Sequence, residues 1–412
     1  MNIRYRGLIV AAALAAFPIV LGAQSSAADW PQFRGPNRDG VAASLSIPTA
    51  WPEQLTRVWK ADVGTGYSTP VLIGNRVYVF SRQMTSEVMQ ALDAATGKVI
   101  WQTRYAAPVN VNPAAEAHGS GPKSTPTFAD GRLYTLGMGG IVTAFDAASG
   151  KQLWQKAAGN VLPLYGTSMS PLVERGLVIV HVGGHGKGAL TAFDANTGDV
   201  KWSWTGDGPS YASPIVADIE GVRQVITLSQ ESIIGVAESD GRLLWQRPFS
   251  TEYTQNIITP VLSGSTLIVS GYQKPTTALR IVKKGEQWMT EVVWENPMAS
   301  LYMADAVVVG DKLFALSHRN RGQYMLLDLK TGKTLWTGMP RQAENAAIAH
   351  AGDLILSLEE DAELMVGRVS GTSFQELKRY KVADAATWAA PAISGKRIFV
   401  KDVSSVALFT LP

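Results

Sequence analysis

The stretch that decides the fold is AFDAASGKQLW at residues 144–154, because related copies of it recur along the chain. Two close copies are ALDAATGKVIW at 91–101 and AFDANTGDVKW at 192–202. A shorter one is DLKTGKTLW at 328–336, and a weaker one is AESDGRLLW at 237–245. In every copy a Trp follows the Gly by four residues. Self-similarity of this kind indicates a repeat architecture, in which each unit is completed by its neighbours.

The spacing within each copy predicts two short strands joined by a tight turn. Asp accepts hydrogen bonds from turn amides, Thr or Ser tolerates the bend, and Gly supplies the positive φ that such a hairpin needs. The Trp then lies on the outgoing strand, where its ring can cover the joint between neighbouring sheets. With a matching strand near the N-terminus, this predicts six structural docking residues: Trp59, Trp101, Trp154, Trp202, Trp245 and Trp336.

A second phrase alternates with the first. It begins with a small residue, which is usually followed by Pro, and continues with an apolar pair and a Gly turn. It occurs eight times, at positions 70, 126, 171, 214, 260, 305, 347 and 391. From Pro70 to Pro391 seven steps cover 321 residues, or about 46 per unit, which is enough for four strands and their turns. Short strands with Gly turns at this period predict an all-β, eight-bladed β-propeller, whose radial sheets leave only short edges.

The two ends of the chain complete one blade in this prediction. The final strand, residues 406–411, ends where the Trp-bearing strand of the eighth blade should begin, and the strand around Trp59 supplies it. We therefore expect the ring to close by pairing of the N- and C-terminal strands. Residues 57–412 then form the propeller, and residues 29–56 form an N-terminal arm, irregular and on the propeller surface.

The first 28 residues have the layout of a secretory signal peptide, with Arg4 and Arg6 before an apolar run and small residues. No later stretch reaches the roughly 20 apolar residues of a membrane-spanning helix. Without Arg4 and Arg6 the formal net charge falls from +3 to +1 and no basic run follows, which argues against a nucleic-acid partner. The chain has no Cys, so we expect no disulfide and no lipid anchor. These features favour a monomer that is periplasmic or secreted.

The phrase Ala-x-Asp-x-x-Thr-Gly-x-x-x-Trp, repeated as above, resembles the tryptophan-docking repeat of the pyrroloquinoline-quinone-like (PQQ-like) propellers. That family includes quinoprotein alcohol dehydrogenases and the propeller lipoprotein of the outer-membrane β-barrel assembly machine. The opening DWPQFRGPNRDG at 29–40 is similar to the start of exported bacterial members without assigned activity. The resemblance covers about residues 29–412 and implies the fold far more specifically than the function.

Residues just before the innermost strand of each blade should ring one mouth of the central channel. Three places before each Pro position the repeats carry Tyr67, Lys123, Ser168, Tyr211, Ile257, Tyr302, Glu344 and Trp388. A second layer would hold His118, Tyr165, Asn256 and Asn345. Aromatic walls with a few polar groups are the usual form of a ligand pocket, although such rings can also merely plug a channel. We predict that an envelope protein or a small molecule binds here.

The resemblance leaves two functions open. The leading one is a non-catalytic ligand- or protein-binding scaffold of the cell envelope, without cofactor or metal. The assembly-machine role is less favoured within this class, because that relative is anchored through a lipidated Cys that this chain lacks. The alternative is a dehydrogenase of alcohols or sugars that depends on PQQ with Ca²⁺.

The dehydrogenase alternative needs a ring floor for the quinone, oxygen ligands for Ca²⁺ and a carboxylate base. Trp388 is the candidate floor, Glu344 with Asn345 or Asn256 are the candidate ligands, and Asp305 is a weak candidate for the catalytic base. Against this alternative, the adjacent-cysteine disulfide of many family dehydrogenases cannot form, the chain is shorter than those enzymes, and no acidic cluster marks the mouth.

Two histidines, His181 and His185, are four residues apart, as in some helical metal sites. The local pattern is a strand followed by a Gly-rich turn, so their side chains should not converge. The sequence therefore predicts no metal site at this pair.

Overall fold

The computed structural model describes residues 1, 29–157, 159 and 161–412. The predicted signal peptide therefore lies, apart from Met1, outside the described residues. In the described part the chain forms eight four-stranded antiparallel sheets, which confirms the eight-bladed, all-β propeller. None of the helices there is long and apolar enough to cross a membrane. They are three short 3-10 helices: Pro113–His118, Glu252–Thr254 and Arg319–Arg321.

The first four blades follow one another along the chain, and each begins with its innermost strand. Blade 1 consists of β2 (Val71–Ile73), β3 (Arg76–Gln83), β4 (Ser86–Asp93) and β5 (Val99–Ala106). Blade 2 consists of β6 (Thr127–Ala129), β7 (Arg132–Leu136), β8 (Val142–Asp146) and β9 (Gln152–Lys156). Blade 3 consists of β10 (Leu172–Glu174), β11 (Leu177–Gly184), β12 (Lys187–Asp194) and β13 (Val200–Trp204). Blade 4 consists of β14 (Ile215–Ile219), β15 (Val222–Leu228), β16 (Ser232–Ala237) and β17 (Leu243–Pro248).

The next three blades repeat this order, with a longer outer hairpin in blade 5. Blade 5 consists of β18 (Val261–Ser263), β19 (Thr266–Gly271), β20 (Lys274–Lys284) and β21 (Gln287–Asn296). Blade 6 consists of β22 (Val307–Val309), β23 (Lys312–Ser317), β24 (Gln323–Asp328) and β25 (Thr334–Thr337). Blade 7 consists of β26 (Ala346–Ala351), β27 (Leu354–Glu359), β28 (Glu363–Ser370) and β29 (Ser373–Lys381).

Blade 8 is built from both ends of the chain. Its inner strands are β30 (Ala392–Ser394), β31 (Arg397–Lys401) and β32 (Ser405–Thr410), and its outer strand is β1 (Thr56–Asp62). Strand β1 pairs antiparallel with β32, with Trp59 opposite Leu408. The predicted closure by the N- and C-terminal strands is therefore confirmed. Closure pairs the terminal strands and so removes the open ends of the ring.

Tryptophans on the outer strands join one blade to the next. The indole of Trp101 in blade 1 donates a hydrogen bond to the carbonyl oxygen of Ala147 in blade 2, at 3.2 Å. Its ring covers Gly150, which has a φ of +75° and no side chain to block the approach. The same indole-to-carbonyl contact is made by Trp59 to Ala94, Trp154 to Ala195, Trp202 to Glu238 and Trp294 to Leu329.

Where the outer hairpin carries the Asp of the repeat, that side chain holds the turn. The Oδ1 atom of Asp146 accepts hydrogen bonds from the backbone N–H and the hydroxyl of Ser149. Asp93 and Asp328 do the same for Thr96 and Thr331. A β-bulge beside the partner of each docking Trp then turns the outer strand, for example between Ala144 and Phe145 opposite Trp154.

Two of the predicted docking tryptophans behave differently. The indole of Trp245 donates to Gln224 Oε1 within its own blade, because the turn of blade 5 lies farther out and offers no docking Gly. The indole of Trp336 forms no hydrogen bond among the described residues and packs against Phe374, with ring centroids 5.3 Å apart. Trp294 takes the regular docking position instead, and the sequence prediction omitted it because the long hairpin of blade 5 breaks the Gly-to-Trp spacing.

The first half of the arm, residues 29–42, packs against the innermost strands of the ring, so the expectation that the arm sits on the propeller surface is wrong for this half. Residues 43–56 are mostly exposed or half-buried. Trp30 exchanges two backbone hydrogen bonds with Leu72 of the innermost strand of blade 1, at 2.8 and 3.0 Å. Val41 pairs with His350 in blade 7. Trp30 is 2% exposed, so this segment is part of the core. The arm therefore closes the channel from within.

Candidate functional site

A cavity of about 270 Å³ opens at one mouth of the channel. Eight of the ten predicted site residues line it: Tyr67, His118, Lys123, Tyr165, Tyr211, Tyr302, Asn345 and Trp388. Ser168 and Ile257, at matching repeat positions, also line it. They converge because each blade places the segment before its innermost strand at the same height on the ring. Residues that are far apart in the sequence thus form one wall.

Two predicted site residues do not line the cavity. Asn256 is fully buried, and its side-chain amide donates to the carbonyl oxygens of Ser229, Gln230 and Phe249. This side chain holds a loop in shape and has no donor left for a ligand. Glu344 is exposed and lies outside the cavity wall. Its repeat position was matched correctly, but Asn345 contributes to the wall in its place.

The structure adds residues that the sequence prediction omitted. Gln255 and Met303 each neighbour a predicted position, and Ala114 and Ala115 come from the 3-10 helix between blades 1 and 2. This helix begins after Asn112, whose side chain accepts the N–H of Ala114. The available signal was the length of the β5–β6 connection, which runs from Ala106 to Thr127. Long connections in propellers lie at the ends of blades, where they can cover a mouth.

Aromatic contacts fix the shape of the cavity. The imidazole of His118 meets the indole of Trp388 edge-on, with ring centroids 4.6 Å apart. Across the mouth, Tyr165 and Tyr211 lie 5.8 Å apart, and the hydroxyl oxygen of Tyr211 accepts the backbone N–H of Tyr165 at 3.2 Å. Such tilted and edge-on arrangements are favourable for aromatic rings. These contacts hold the rings of the wall against one another.

The electrostatic character of the cavity is positive. Its lining includes Lys123 and His118 but no Asp or Glu. Burial lowers the pKa of Lys123. Burial, and then the neighbouring charge of Lys123, lowers the pKa of His118. Burial raises the pKa of Tyr67 and of Tyr302, so these phenols remain neutral hydrogen-bond donors.

Below the mouth a second cavity of about 150 Å³ reaches the arm. It shares Tyr211 and Trp388 with the upper cavity, and its far wall includes Phe33 and Arg34. The arm thus forms the floor of the channel.

Asp305, the weak candidate for a catalytic base, belongs to this floor. Its carboxylate pairs with Arg34 at 3.3 Å and accepts the backbone N–H of Thr259 at 2.8 Å. Burial raises the pKa of Asp305, and Arg34 opposes that shift. The geometry gives this carboxylate a structural partner, so its assignment as a base finds no support in the structure.

The residues present do not fit a Ca²⁺–quinone centre. Ca²⁺ takes six to eight oxygen ligands, usually with carboxylates among them. The candidate ligands Glu344, Asn256 and Asn345 do not converge, since only Asn345 lines the cavity. One acidic group in the described part has metal-like spacing, Glu359, Asp361 and Glu363. Arg379 already pairs with Glu359 and Glu363, and none of the three lines the cavity.

His181 and His185 are held apart, as the strand-and-turn pattern predicted. His181 is buried, and its Nε2 lies 3.1 Å from the carbonyl oxygen of Asp207. The Nε2 of His185 instead lies 3.0 Å from the backbone nitrogen of Leu164 and 3.0 Å from the hydroxyl of Thr254. Each ring has its own structural contacts.

The known proteins that resemble this chain in sequence fall into two groups, assembly factors and dehydrogenase subunits. The chain is 25% identical over 370 residues to the outer membrane protein assembly factor BamB of Yersinia pestis, covering 84% of this chain and 86% of that protein. It is 29% identical over 163 residues to the dehydrogenase subunit of the quinone alcohol dehydrogenase of Komagataeibacter europaeus. That match covers 36% of this chain and only 21% of the dehydrogenase subunit.

Solved structures show the same two groups at the level of the fold. BamB from Moraxella catarrhalis superposes with a TM-score of 0.62 at 15% identity, covering 87% of this chain and 98% of that one. The quinohemoprotein alcohol dehydrogenase from Comamonas testosteroni gives a TM-score of 0.67 at 15% identity, covering 95% of this chain and 81% of that one. At these identities the likeness concerns the propeller alone.

A family model also matches the sequence. The model described as outer membrane protein assembly factor BamB matches residues 51–118 and 85–338, which is more than half of the chain. The matched residues contain the tryptophan-docking repeats and the strands from β1 to β25. The chain therefore belongs to the family described as outer membrane protein assembly factor BamB.

Proposed function

We propose that this chain is a non-catalytic binding scaffold of the bacterial cell envelope, periplasmic or secreted, which receives its ligand or partner at the upper mouth of the channel. The observation that carries the proposal is the cavity wall itself. It combines Tyr67, Tyr211, Tyr302 and Trp388 with few polar groups, as ligand sites usually do, and the arm closes it below.

Catalysis has little support from the described residues. The carboxylate Asp305 is ion-paired with Arg34 beneath the cavity, and the upper wall contains no other acid. Relatives that span most of this chain carry the name of an assembly factor, whereas the dehydrogenase subunit matches about a third of it. We therefore place the quinone-dependent dehydrogenase second, as the alternative to be tested.

The scaffold is tested by replacing Tyr302 at the mouth with a photo-crosslinking phenylalanine analogue. The same analogue is placed at Val200, which is 59% exposed on the outer strand of blade 3, as a matched control. After irradiation of the intact envelope, intact-mass measurement reports any added mass, whether a small molecule or a polypeptide. We expect an adduct at position 302 and none at 200.

A further variant shows whether the adduct depends on the cavity. Trp388→Ala removes one wall of the site without touching the propeller core, because Trp388 is half-buried. The adduct at position 302 should be lost in this variant while the protein remains folded. Adducts at position 200 alone, or an adduct at 302 that persists without Trp388, would show that the partner binds elsewhere and that the rings only plug the channel.

A further inference from the structure

Several hydrogen-bond donors of the upper cavity have no partner among the described residues. Lys123 lines the cavity, and among the described residues its ammonium group has neither a hydrogen bond nor an ion pair. The hydroxyl groups of Tyr67 and Tyr165 and the indole N–H of Trp388 likewise form no hydrogen bond within the described part of the chain. A cavity that offers unused donors and a positive charge favours an acceptor-rich, negatively charged group.

A buried amide oxygen without a donor lies on the same wall. Asn345 is 6% exposed, and its side-chain oxygen has no hydrogen-bond partner among the described residues. Buried polar atoms are nearly always paired in folded proteins, so an unpaired one at a cavity wall indicates a donor that arrives with a ligand. A simple carboxylic acid satisfies Lys123 but brings no N–H for Asn345. A peptide end brings both.

The size of the cavity also favours the end of a chain over a whole cofactor. Pockets for drug-sized ligands usually enclose about 300–1,000 Å³. The upper cavity has about 270 Å³, which suits one or two side chains, and its mouth is open, so a longer chain can continue into solvent. The aromatic wall of Tyr211, Tyr302 and Trp388 suits a ring or apolar side chain next to the charged group.

We propose that the upper cavity captures the carboxylate end of a polypeptide, with the carboxylate on Lys123, a backbone N–H of the peptide on Asn345 Oδ1, and the terminal side chain against the aromatic wall. This inference rests on the proposed function, because it names the ligand of the same cavity. It adds the sign of the charge and the chemical class of the partner.

Three probes test this assignment by isothermal titration of the purified protein. The first is the peptide N-acetyl-Gly-Ser-Gly-Ser-Phe with a free carboxylate, the second is the same peptide with an amidated end, and the third is 3-phenylpropanoate. We expect the free-acid peptide to bind at least about tenfold more tightly than the amide, since a charge-assisted hydrogen bond is lost in the amide. It should also bind more tightly than 3-phenylpropanoate, which has no N–H for Asn345.

Variants assign the effect to Lys123. In Lys123→Met the preference for the free acid should disappear, and in Lys151→Met, an exposed turn lysine in blade 2, it should be unchanged. Thermal unfolding of both variants checks that each is folded. Raising the salt concentration should weaken the binding of the free acid more than that of the amide.

The other outcomes separate the inference from the proposed function. If the acid and the amide bind equally and both are lost in Trp388→Ala, the cavity is a binding site but the carboxylate assignment is wrong. If 3-phenylpropanoate binds as tightly as the peptide, the ligand is a free small acid and the polypeptide assignment is overturned. If the free-acid peptide does not bind at all, the inference fails, and the crosslinking experiment decides the scaffold separately.

Discussion

The indole of Trp101 lies so close over Gly150 of the next blade that a Cβ on Gly150 would be only 2.4 Å from its Cε3 atom. Glycine at this position therefore serves two purposes, since it adopts a φ of +75° and leaves room for the ring. The same approach of Trp to Gly is found at Gly97, Gly198, Gly241 and Gly332. The Gly and the Trp of one phrase therefore take part in two different contacts. The Gly receives the Trp of the preceding blade, and the Trp covers the Gly of the following blade.

Gly150→Ala should destabilise the protein by more than backbone strain alone explains. The matched control is Gly131→Ala, because Gly131 has the same φ of +75° but nothing within 4 Å of its Cβ position. Both variants carry the cost of a left-handed alanine, roughly 1–2 kcal/mol. Only Gly150→Ala adds an overpacking cost of roughly 1–3 kcal/mol. Equal free energies of unfolding in urea for the two variants would show that the ring contact does not constrain this position.

Trp154→Ala should lower the free energy of unfolding by roughly 3–5 kcal/mol, as for other buried large aromatic residues. The ring is 9% exposed and its N–H bonds Ala195 of the next blade at 3.0 Å. Trp336→Ala should cost clearly less, because that ring is half-buried and has no indole hydrogen bond to blade 7 among the described residues. Chemical denaturation of both variants gives the comparison, and equal losses would show that the deeper burial and the indole hydrogen bond of Trp154 add no stability.

Arg34→Met should cost roughly 3–5 kcal/mol, since it leaves the buried carboxylate of Asp305 without its counter-charge. The guanidinium of Arg34 also donates to the carbonyl oxygen of Ala306 at 2.6 Å, so the arm is released from blade 6. Adding Asp305→Asn should recover part of the loss, because the uncompensated charge is then removed. A double variant as unstable as the sum of the two single variants would show that the pair is not coupled.

His181 should make the protein less stable in acid. Burial lowers its pKa to about 4, and its Nδ1 has no acceptor among the described residues for a second proton. The unfolded chain, with a pKa near 6.5, binds this proton more readily, so stability falls as the pH drops from about 6.5 towards 4. The full effect is roughly 3 kcal/mol.

His181→Gln should flatten the stability profile over that interval, because the new side chain does not titrate. The measurement is the free energy of unfolding of both proteins between pH 7 and pH 4. Parallel profiles would mean that His181 is protonated in the folded protein, and titration of its ring by NMR would then give a pKa near the ordinary value.

The repeat spacing was sufficient to predict the blade number and the closure of the ring. Asp, Gly and Trp recur because each has a fixed task in every repeat that contains them. Asp146 accepts hydrogen bonds in its turn, Gly150 leaves room for a ring, and Trp154 docks on the next blade. Trp294 escaped prediction because the long outer hairpin of blade 5 breaks the spacing from Gly to Trp within its own repeat. The position of the arm escaped prediction for a different reason. Its Arg34 and Arg38 look like surface residues in the sequence and become buried only through carbonyl and carboxylate partners in distant blades.

The residues of the cavity wall could be predicted where their position within the repeat alone determines their place on the ring. Tyr67, Lys123, Tyr211, Tyr302 and Trp388 share one repeat position, and all of them line the mouth. Register does not report which way a loop side chain turns, so Glu344 and Asn256 were assigned to the wall although one faces solvent and the other holds its own loop. The unused hydrogen bonds of Lys123 and Asn345 depend on what surrounds them and required the structure.

Absorbance spectroscopy of the purified protein, after incubation with PQQ and Ca²⁺ and removal of unbound cofactor, distinguishes most directly between a binding scaffold and a quinone-dependent dehydrogenase. A dye-linked assay with alcohols and sugars follows on the same sample. We expect no retained quinone spectrum and no dye reduction above that of the Trp388→Ala variant. A stoichiometric quinone spectrum, together with substrate-dependent dye reduction that is lost in Trp388→Ala, would show instead that the mouth is the active site of a dehydrogenase.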